Sequence, residues 1–193
     1  MSNKVTSLLI TGAGGQGIVL ASNVLCAAAL NAGYDVKKSE IHGMAQRGGS
    51  VVSHVRFGEK VWSPAIPLGG ADFILSFERM EYLRYLSFVG DKCTLILNSR
   101  RILPLGAAMG TEIYPDELID HEKARFVVVS EFNADAIAQD LGNIKTAGLV
   151  ILGKLASYLD IGEKHWEDAI KDSVPEKLLN INLDAFAAGK KVI

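Results

Sequence analysis

The segment Gly12-Ala13-Gly14-Gly15-Gln16-Gly17 lies directly between an apolar run, Val5 to Thr11, and an Ala- and Leu-rich stretch, Ile18 to Asn31, which stops at Gly33. A strand that turns this tightly into a helix needs residues free to take positive φ, and glycine does so without steric cost. The order is therefore strand, tight loop, helix. With Tyr34 to Lys37 as a second strand, it completes a β-α-β unit, for which a right-handed crossover is expected. The same glycines leave room for a phosphate beside the backbone, where the N–H groups and dipole of a helix start favour an anion. Gly12, Gly14, Gly15, Gln16 and Gly17 are thus candidate cofactor-binding residues. A glycine turn needed only for close strand-to-helix packing would read the same way. Glu40, just beyond the second strand, is placed to bond a ribose hydroxyl if the ligand is a dinucleotide.

Beyond a polar, glycine-rich segment at Ile41 to Gly49, Val51, Ser53, Val55 and Phe57 alternate with Val52, His54 and Arg56, a strand period. Gly58-Glu59 supplies a turn and Lys60 to Ser63 returns before Pro64 and Pro67, which predicts an inserted β-hairpin. Strand and helix then alternate again. Ala71 to Ser76, Thr94 to Leu97 and Phe126 to Val129 read as strands, and Glu78 to Phe88 as a helix. Asn133 to Asp140, Thr146 to Leu159, Glu163 to Lys171 and Pro175 to Ala188 read as helices that pack on the sheet. The expected fold is a Rossmann-like three-layer α/β/α arrangement with a mainly parallel sheet and an inserted β-hairpin. Residues 1–193 are expected to form one domain.

Composition narrows the function classes. The formal net charge is −2, with both signs mixed along the chain, so no basic stripe invites nucleic acid. The longest apolar stretch, Ala147 to Leu152, is far short of the roughly 20 residues a membrane helix needs. The first residues reach glycines after a short apolar run without an export signal, and a cytoplasmic location is expected. Cys26 and Cys93 are the two cysteines, with no C-x-x-C, too few for an iron–sulfur cluster that takes four thiolates. Any such clusters would lie in another chain. Both cysteines read as small core residues. No spacing of histidine, cysteine and carboxylate suggests a metal site.

Three stretches occur together: GAGGQG, then EIHGMAQRGGSVVSHVRFG, then SPAIPLGGAD. Their combination and spacing resemble the γ-type domain of thiamine-diphosphate-dependent 2-oxoacid:ferredoxin oxidoreductases. Within that group the HGMAQRGG segment is most similar to the small subunit of the indolepyruvate enzymes. Leu75-Ser76-Phe77-Glu78, Glu81, Arg84, Asn98, Tyr114-Pro115 and Asn182 to Gly189 continue the resemblance over nearly the whole chain. It implies oxidative decarboxylation of a 2-oxoacid to an acyl-coenzyme A, with electrons passed to ferredoxin. It also implies a large partner subunit carrying thiamine diphosphate and the iron–sulfur clusters, and a small subunit inactive alone; a homodimer is a candidate state of the isolated chain.

No residue stands out as catalytic; the candidates are His42, Arg47 and Glu78. Arg47, between Gln46 and Gly48-Gly49, is suited to grip a phosphate or carboxylate bidentately, of coenzyme A or of the partner chain. Gln46, Arg47 and Gly48 therefore join the cofactor-binding candidates. Imidazole is a common acid–base group, which makes His42 a candidate, but ordering its loop is the simpler role. Glu78 and Asn98 follow strands, as the glycine loop does, and parallel strand ends share the edge where open α/β folds bind ligands. A helix first turn would also suit Glu78, and Asn98 would equally cap its turn. His54, His121 and His165 carry no evident role. Trp62, on the expected hairpin, suits a subunit interface, and Trp166 suits packing. Two competing readings remain: a stand-alone NAD(P)-binding Rossmann oxidoreductase, and a non-catalytic scaffold subunit.

Overall fold

A computed structural model describes residues 5–43 and 49–193. β1 (Thr6–Ala13) runs through the glycine loop into α1 (Ile18–Asn31), then β2 (Asp35–His42), β3 (Ser50–Gly58), β4 (Ala71–Ser76), a 3-10 helix at Glu81–Phe88 and β5 (Val89–Asn98). The single turn α2 (Leu105–Ala108) and α3 (Asp116–Glu122) precede β6 (Val128–Phe132). The chain finishes in α4 (Ala134–Asp140), α5 (Ala147–Ala156), α6 (Glu163–Ser173) and α7 (Leu179–Lys190).

The strands form one sheet in the order β2-β3-β1-β4-β5-β6. β1, β4, β5 and β6 are parallel, and β3 runs antiparallel to both of its neighbours. Leu8 to Ile10, Ile74-Leu75 and Leu95 to Leu97 are continuous apolar runs with no exposed surface, because both faces of these central strands are covered. Leu8, Ile10, Leu75 and Ile96 face the layer built from α1 and α4 to α7. Leu9, Ile74, Leu95 and Leu97 face a thinner layer that includes Tyr82, Ile119 and Phe126. Every residue of α5 is buried, which explains its apolar sequence without an amphipathic stripe.

The hairpin differs from the sequence expectation in which segments pair. It is β2 with β3, from Asp35↔Gly58 to His42↔Val51, so β2 extends well beyond Lys37. Lys60 to Ser63 is not a strand. Its backbone groups are taken by side chains instead: the Val61 N–H donates to Asp35, and Arg56 donates to the carbonyls of Ser63 and Ala65. A second consequence is that β3 lies between β1 and β2, so the β1-α1-β2 unit does not set its two strands side by side. The helix expected from Glu78 is a 3-10 helix from Glu81, interrupted at Tyr85 (φ −120°, ψ 17°). Glu78 precedes it, and its carboxylate accepts from the N–H groups of Met80 and Glu81.

Candidate functional site at the C-terminal sheet edge

β1, β4 and β5 end level with one another: Thr11 pairs with Ser76 and Ser76 with Leu97. The glycine loop, Phe77-Glu78 and Asn98 therefore meet at one edge, as parallel strand ends must. Their hub is a backbone group that the sequence does not advertise. The Phe77 carbonyl accepts from Gln16 Nε2 (3.1 Å) and Asn98 Nδ2 (3.2 Å), tying the glycine loop to the end of β5.

The glycines of the loop do different work. A Cβ on Gly12 would lie 2.5 Å from Gln16 Oε1 and 2.8 Å from Phe77 Cβ, so this glycine makes room for the Gln16 side chain. Gln16 Oε1 accepts from the Ala13 N–H at 2.6 Å, and the Gly14 N–H donates to the Gly49 carbonyl at 2.9 Å. Gly15 (φ 92°) and Gly17 (φ 85°) occupy the left-handed region with open space where a side chain would be. Gly17 leads into α1, whose first turn has neither an acidic residue nor a side-chain cap. Among the described residues no side chain caps this 14-residue helix, and its first N–H groups and the positive end of its dipole suit an anion.

Glu78 is buried, and both its oxygens are occupied. Oε2 takes the Met80 and Glu81 N–H groups; Oε1 takes the Ile102 N–H (3.0 Å) and the Tyr114 hydroxyl (2.7 Å). Burial, then the hydrogen bond to Glu78, push the Tyr114 phenol well above its ordinary range. Four donors on one carboxylate make Glu78 the tie between three loops. Asn98, also buried, donates to Asp135 at 2.7 Å as well as to Phe77, and its oxygen accepts from the Ala134 N–H at the start of α4. Arg100 pairs with Asp135; Arg101 pairs with Asp116 and lies 4.1 Å over the Tyr114 ring.

His42 ends β2 on the far side of β3, with its ring 3.8 Å from Glu40 and mostly exposed. Glu40 accepts from Ser22 and Ser53 and pairs with Lys38 at 2.7 Å, so its carboxylate is engaged between β2 and α1. Gln46, Arg47 and Gly48 lie outside the described residues. On either side of that segment, the Gly43 N–H donates to the Ser50 carbonyl, and Gly49 accepts from the glycine loop. Sequence reasoning missed the Ser50 hydroxyl, which donates to the buried Glu81 carboxylate at 2.6 Å, and Arg84 pairs with the same carboxylate. It also missed Asp135, although an acid just after the Asn133 cap of α4 marks that helix start.

The two thiols do not fit a metal cluster. Burial pushes Cys26 up to about 11 and Cys93 up to about 12, and neither is bonded to another cysteine. Among the described residues no group of His, Cys, Asp and Glu could hold a metal ion, and no helix is long and apolar enough to cross a membrane. Trp166 is buried against Phe186, whereas Trp62 is 85% exposed, with Lys60 over its ring.

Comparison with known proteins agrees with this architecture. Residues 7–192 match the model of the pyruvate ferredoxin/flavodoxin oxidoreductase family. The chain is 40% identical to indolepyruvate oxidoreductase subunit IorB of Thermococcus kodakarensis, over 97% of this chain and 96% of that subunit. It is 29% identical to 2-oxoglutarate synthase subunit KorC of Methanothermobacter marburgensis, over 95% of this chain and 94% of that one. The fold matches the γ subunit of a keto/oxoacid ferredoxin oxidoreductase from Geobacter sulfurreducens with a TM-score of 0.72 at 24% identity, covering 95% of each chain. A domain match over nearly the full length, a relative this similar and a shared fold place the chain in one group: it belongs to the pyruvate ferredoxin/flavodoxin oxidoreductase family.

Proposed function

We propose that this chain is the small subunit of an indolepyruvate-type 2-oxoacid:ferredoxin oxidoreductase, working in the cytoplasm with a large subunit and with ferredoxin. The observation that carries the reading is the full-length similarity to an indolepyruvate oxidoreductase subunit, 40% against 29% for a 2-oxoglutarate synthase subunit. The reaction oxidatively decarboxylates an aryl pyruvate to its coenzyme A thioester. Thiamine diphosphate and iron–sulfur clusters supply the decarboxylation and electron-transfer chemistry, and both belong to the large subunit. The two thiols here, both raised in pKa by desolvation and neither bonded to another cysteine, support that division.

What remains for this chain is binding and positioning. Gly15, Gly17 and the open start of α1 form a cradle for an anionic group of coenzyme A or of the partner's cofactor. Gly12, Gly14, Gln16 and Asn98 hold the cradle rigid through the Phe77 carbonyl and the Gly49 contact. Arg47, next to Gln46 and Gly48 in the sequence, supplies a bidentate grip on an anionic group of coenzyme A or of the partner chain. Glu78 orders the loops at Met80, Ile102 and Tyr114 through its four hydrogen bonds, and His42 serves to order its own loop. A stand-alone NAD(P) enzyme is disfavoured because Glu40 is already engaged and β2 is not beside β1.

The test is co-expression with a large thiamine and iron–sulfur subunit and an assay of coenzyme-A-dependent viologen reduction. Indolepyruvate and phenylpyruvate should turn over faster than pyruvate or 2-oxoglutarate. A complex most active on 2-oxoglutarate would overturn the proposal. Arg47→Ala should raise the KM for coenzyme A about tenfold or more, the loss of one charge-assisted bidentate contact.

A further inference from the structure

At the other end of the sheet, about 25 Å from the glycine loop at about 3.3 Å per residue of β1, lies a cavity of about 690 Å³. It opens among the start of β1 at Thr6, the end of β3, the start of β4 and the turn after α5. Its volume falls in the range of small-molecule sites, roughly 300 to 1,000 Å³.

Its lining has two components. Four aromatic rings contribute: Tyr34 and Phe57 form one tilted pair (5.4 Å between centroids), and Phe73 and Tyr158 another (6.1 Å). Among the described lining residues the charged groups are Glu59, Asp72 and Asp160 against Lys92, a balance of two negative charges that falls to one when Lys154 beside the Tyr158 ring is counted. One oxygen of Asp72 accepts from the Ser7 N–H, which fixes that carboxylate at the start of β1. The Tyr34 hydroxyl donates to the Asp160 carbonyl and holds that residue beside the rings. Among the described residues, the side chains of Glu59, Lys92 and Asp160 have no hydrogen-bond or ion-pair partner. The chemistry of a cation on a ring face is already present nearby, since Lys154 Nζ lies 5.4 Å over the Tyr158 ring.

We propose that this cavity is a second binding site, for a small aromatic ammonium compound. The ligand's ring packs among Tyr34, Phe57, Phe73 and Tyr158. Its ammonium group sits against the carboxylates of Glu59 and Asp160, away from the Tyr158 face that Lys154 already covers. Rings alone would take any apolar guest, and carboxylates alone any cation; the combination selects a molecule that carries both. The negative balance discriminates against an added carboxylate, so an aromatic amine is favoured over the corresponding amino acid. The site is remote from the C-terminal edge, and the proposal does not depend on the function proposed above.

Tryptamine is the probe, titrated into the full-length chain by calorimetry and followed by NMR. Saturable binding is expected in the millimolar range or tighter, below ~10 mM. Tryptophol, which keeps the ring and lacks the charge, should bind at least about tenfold more weakly, and tryptophan weaker than tryptamine. Ligand-induced shifts should fall on Tyr34, Phe57, Phe73 and Tyr158. The double variant Glu59→Gln/Asp160→Asn should keep the wild-type circular dichroism spectrum and lose about tenfold in affinity. Absence of saturation, equal binding of tryptophol, shifts confined to the glycine loop, or undiminished affinity in the folded double variant would each overturn the proposal.

Discussion

Replacing Gly189 with alanine tests how closely α5 and α7 approach. A Cβ on Gly189 would overlap the Val150 carbonyl oxygen and lie 2.8 Å from the Val150 carbonyl carbon and 3.0 Å from its Cα. The mirror contact exists at Gly153, whose added Cβ would overlap the Phe186 carbonyl oxygen and lie 3.1 Å from Gly189 Cα. Two helix backbones thus touch through paired glycines, and the obstructing atoms are main chain, which cannot rotate aside. Two effects oppose each other. Alanine gains at most about 1 kcal/mol over glycine in propensity, and less at Gly189, the penultimate residue of α7. Overpacking costs about 1 to 3 kcal/mol, and the upper end applies when the neighbour cannot yield. Relief would require parting the helices, and a gap of about 0.5 to 1 Å forfeits a quarter to a half of each dispersion contact along the seam.

Steric cost outweighs propensity, and a net loss of about 2 kcal/mol is expected for Gly189→Ala. For a chain of this length that lowers the melting temperature by about 4 to 8 °C. Gly162→Ala is the control: its Cβ would meet His165 at an ordinary 3.4 Å, and it should melt within about 2 °C of the parent. Differential scanning calorimetry on both variants decides the matter. A Gly189→Ala protein as stable as the parent, or more stable, would show that propensity governs the site and would refute the close-approach reasoning.

Other outcomes follow from the site. Glu78→Gln replaces an acceptor oxygen with an NH2 group facing backbone or phenol donors, and should cost about 2 to 3 kcal/mol, read as a lower urea midpoint; an unchanged midpoint would mean the four bonds contribute little. At pH 8 neither Cys93 nor Cys26 should react quickly with a disulfide reagent in the native protein, and both should after unfolding; rapid native labelling of both would contradict their raised pKa values. Burial pushes the Glu40 carboxyl up, but the hydrogen bond and charge of Lys38 and the bonds from Ser22 and Ser53 outweigh it and hold the pKa below the usual value. Its ionised form therefore stabilises the fold above about pH 4.3, and that contribution disappears as the pH falls through the lower folded-state value. Lys38→Met should accordingly destabilise the protein at pH 7 more than at pH 3, and an equal loss at both would exclude the ion pair as the cause.

Much of the fold was legible because local chemistry and tertiary demand coincide. The span of α1 and the strand Ala71–Ser76 are bounded as their sequence periodicity predicts. The pairing of β3 was not legible. Its alternation establishes a strand but not a partner, and the turn signal at Gly58-Glu59 points forward to Lys60 to Ser63. What decides is remote in sequence: the side chains of Asp35 and Arg56 take up the polar groups of the 61–65 segment, while β2 and β1 offer β3 two ladders. The 3-10 geometry after Glu78 was hidden for a similar reason, since the donors on that carboxylate include Ile102 and Tyr114, far along the chain.

The same distinction separates the legible and illegible parts of the site. A glycine announces itself by what other residues cannot do, so the loop at 12–17 stands out in the sequence, and parallel topology brings Asn98 and Glu78 to the same edge. The Phe77 carbonyl is invisible, because every residue carries a carbonyl and only the fold decides which one receives two amides. Gln16 illustrates how the two readings of the glycine motif coexist. Its side chain fills the space that Gly12 leaves, which is a packing role, and in doing so it takes the Ala13 N–H inside the loop. The open part of the motif is then displaced to Gly15, Gly17 and the start of α1. Close packing at the first glycine and the anion cradle proposed at the last are therefore compatible: the first holds rigid the turn on which the second would depend.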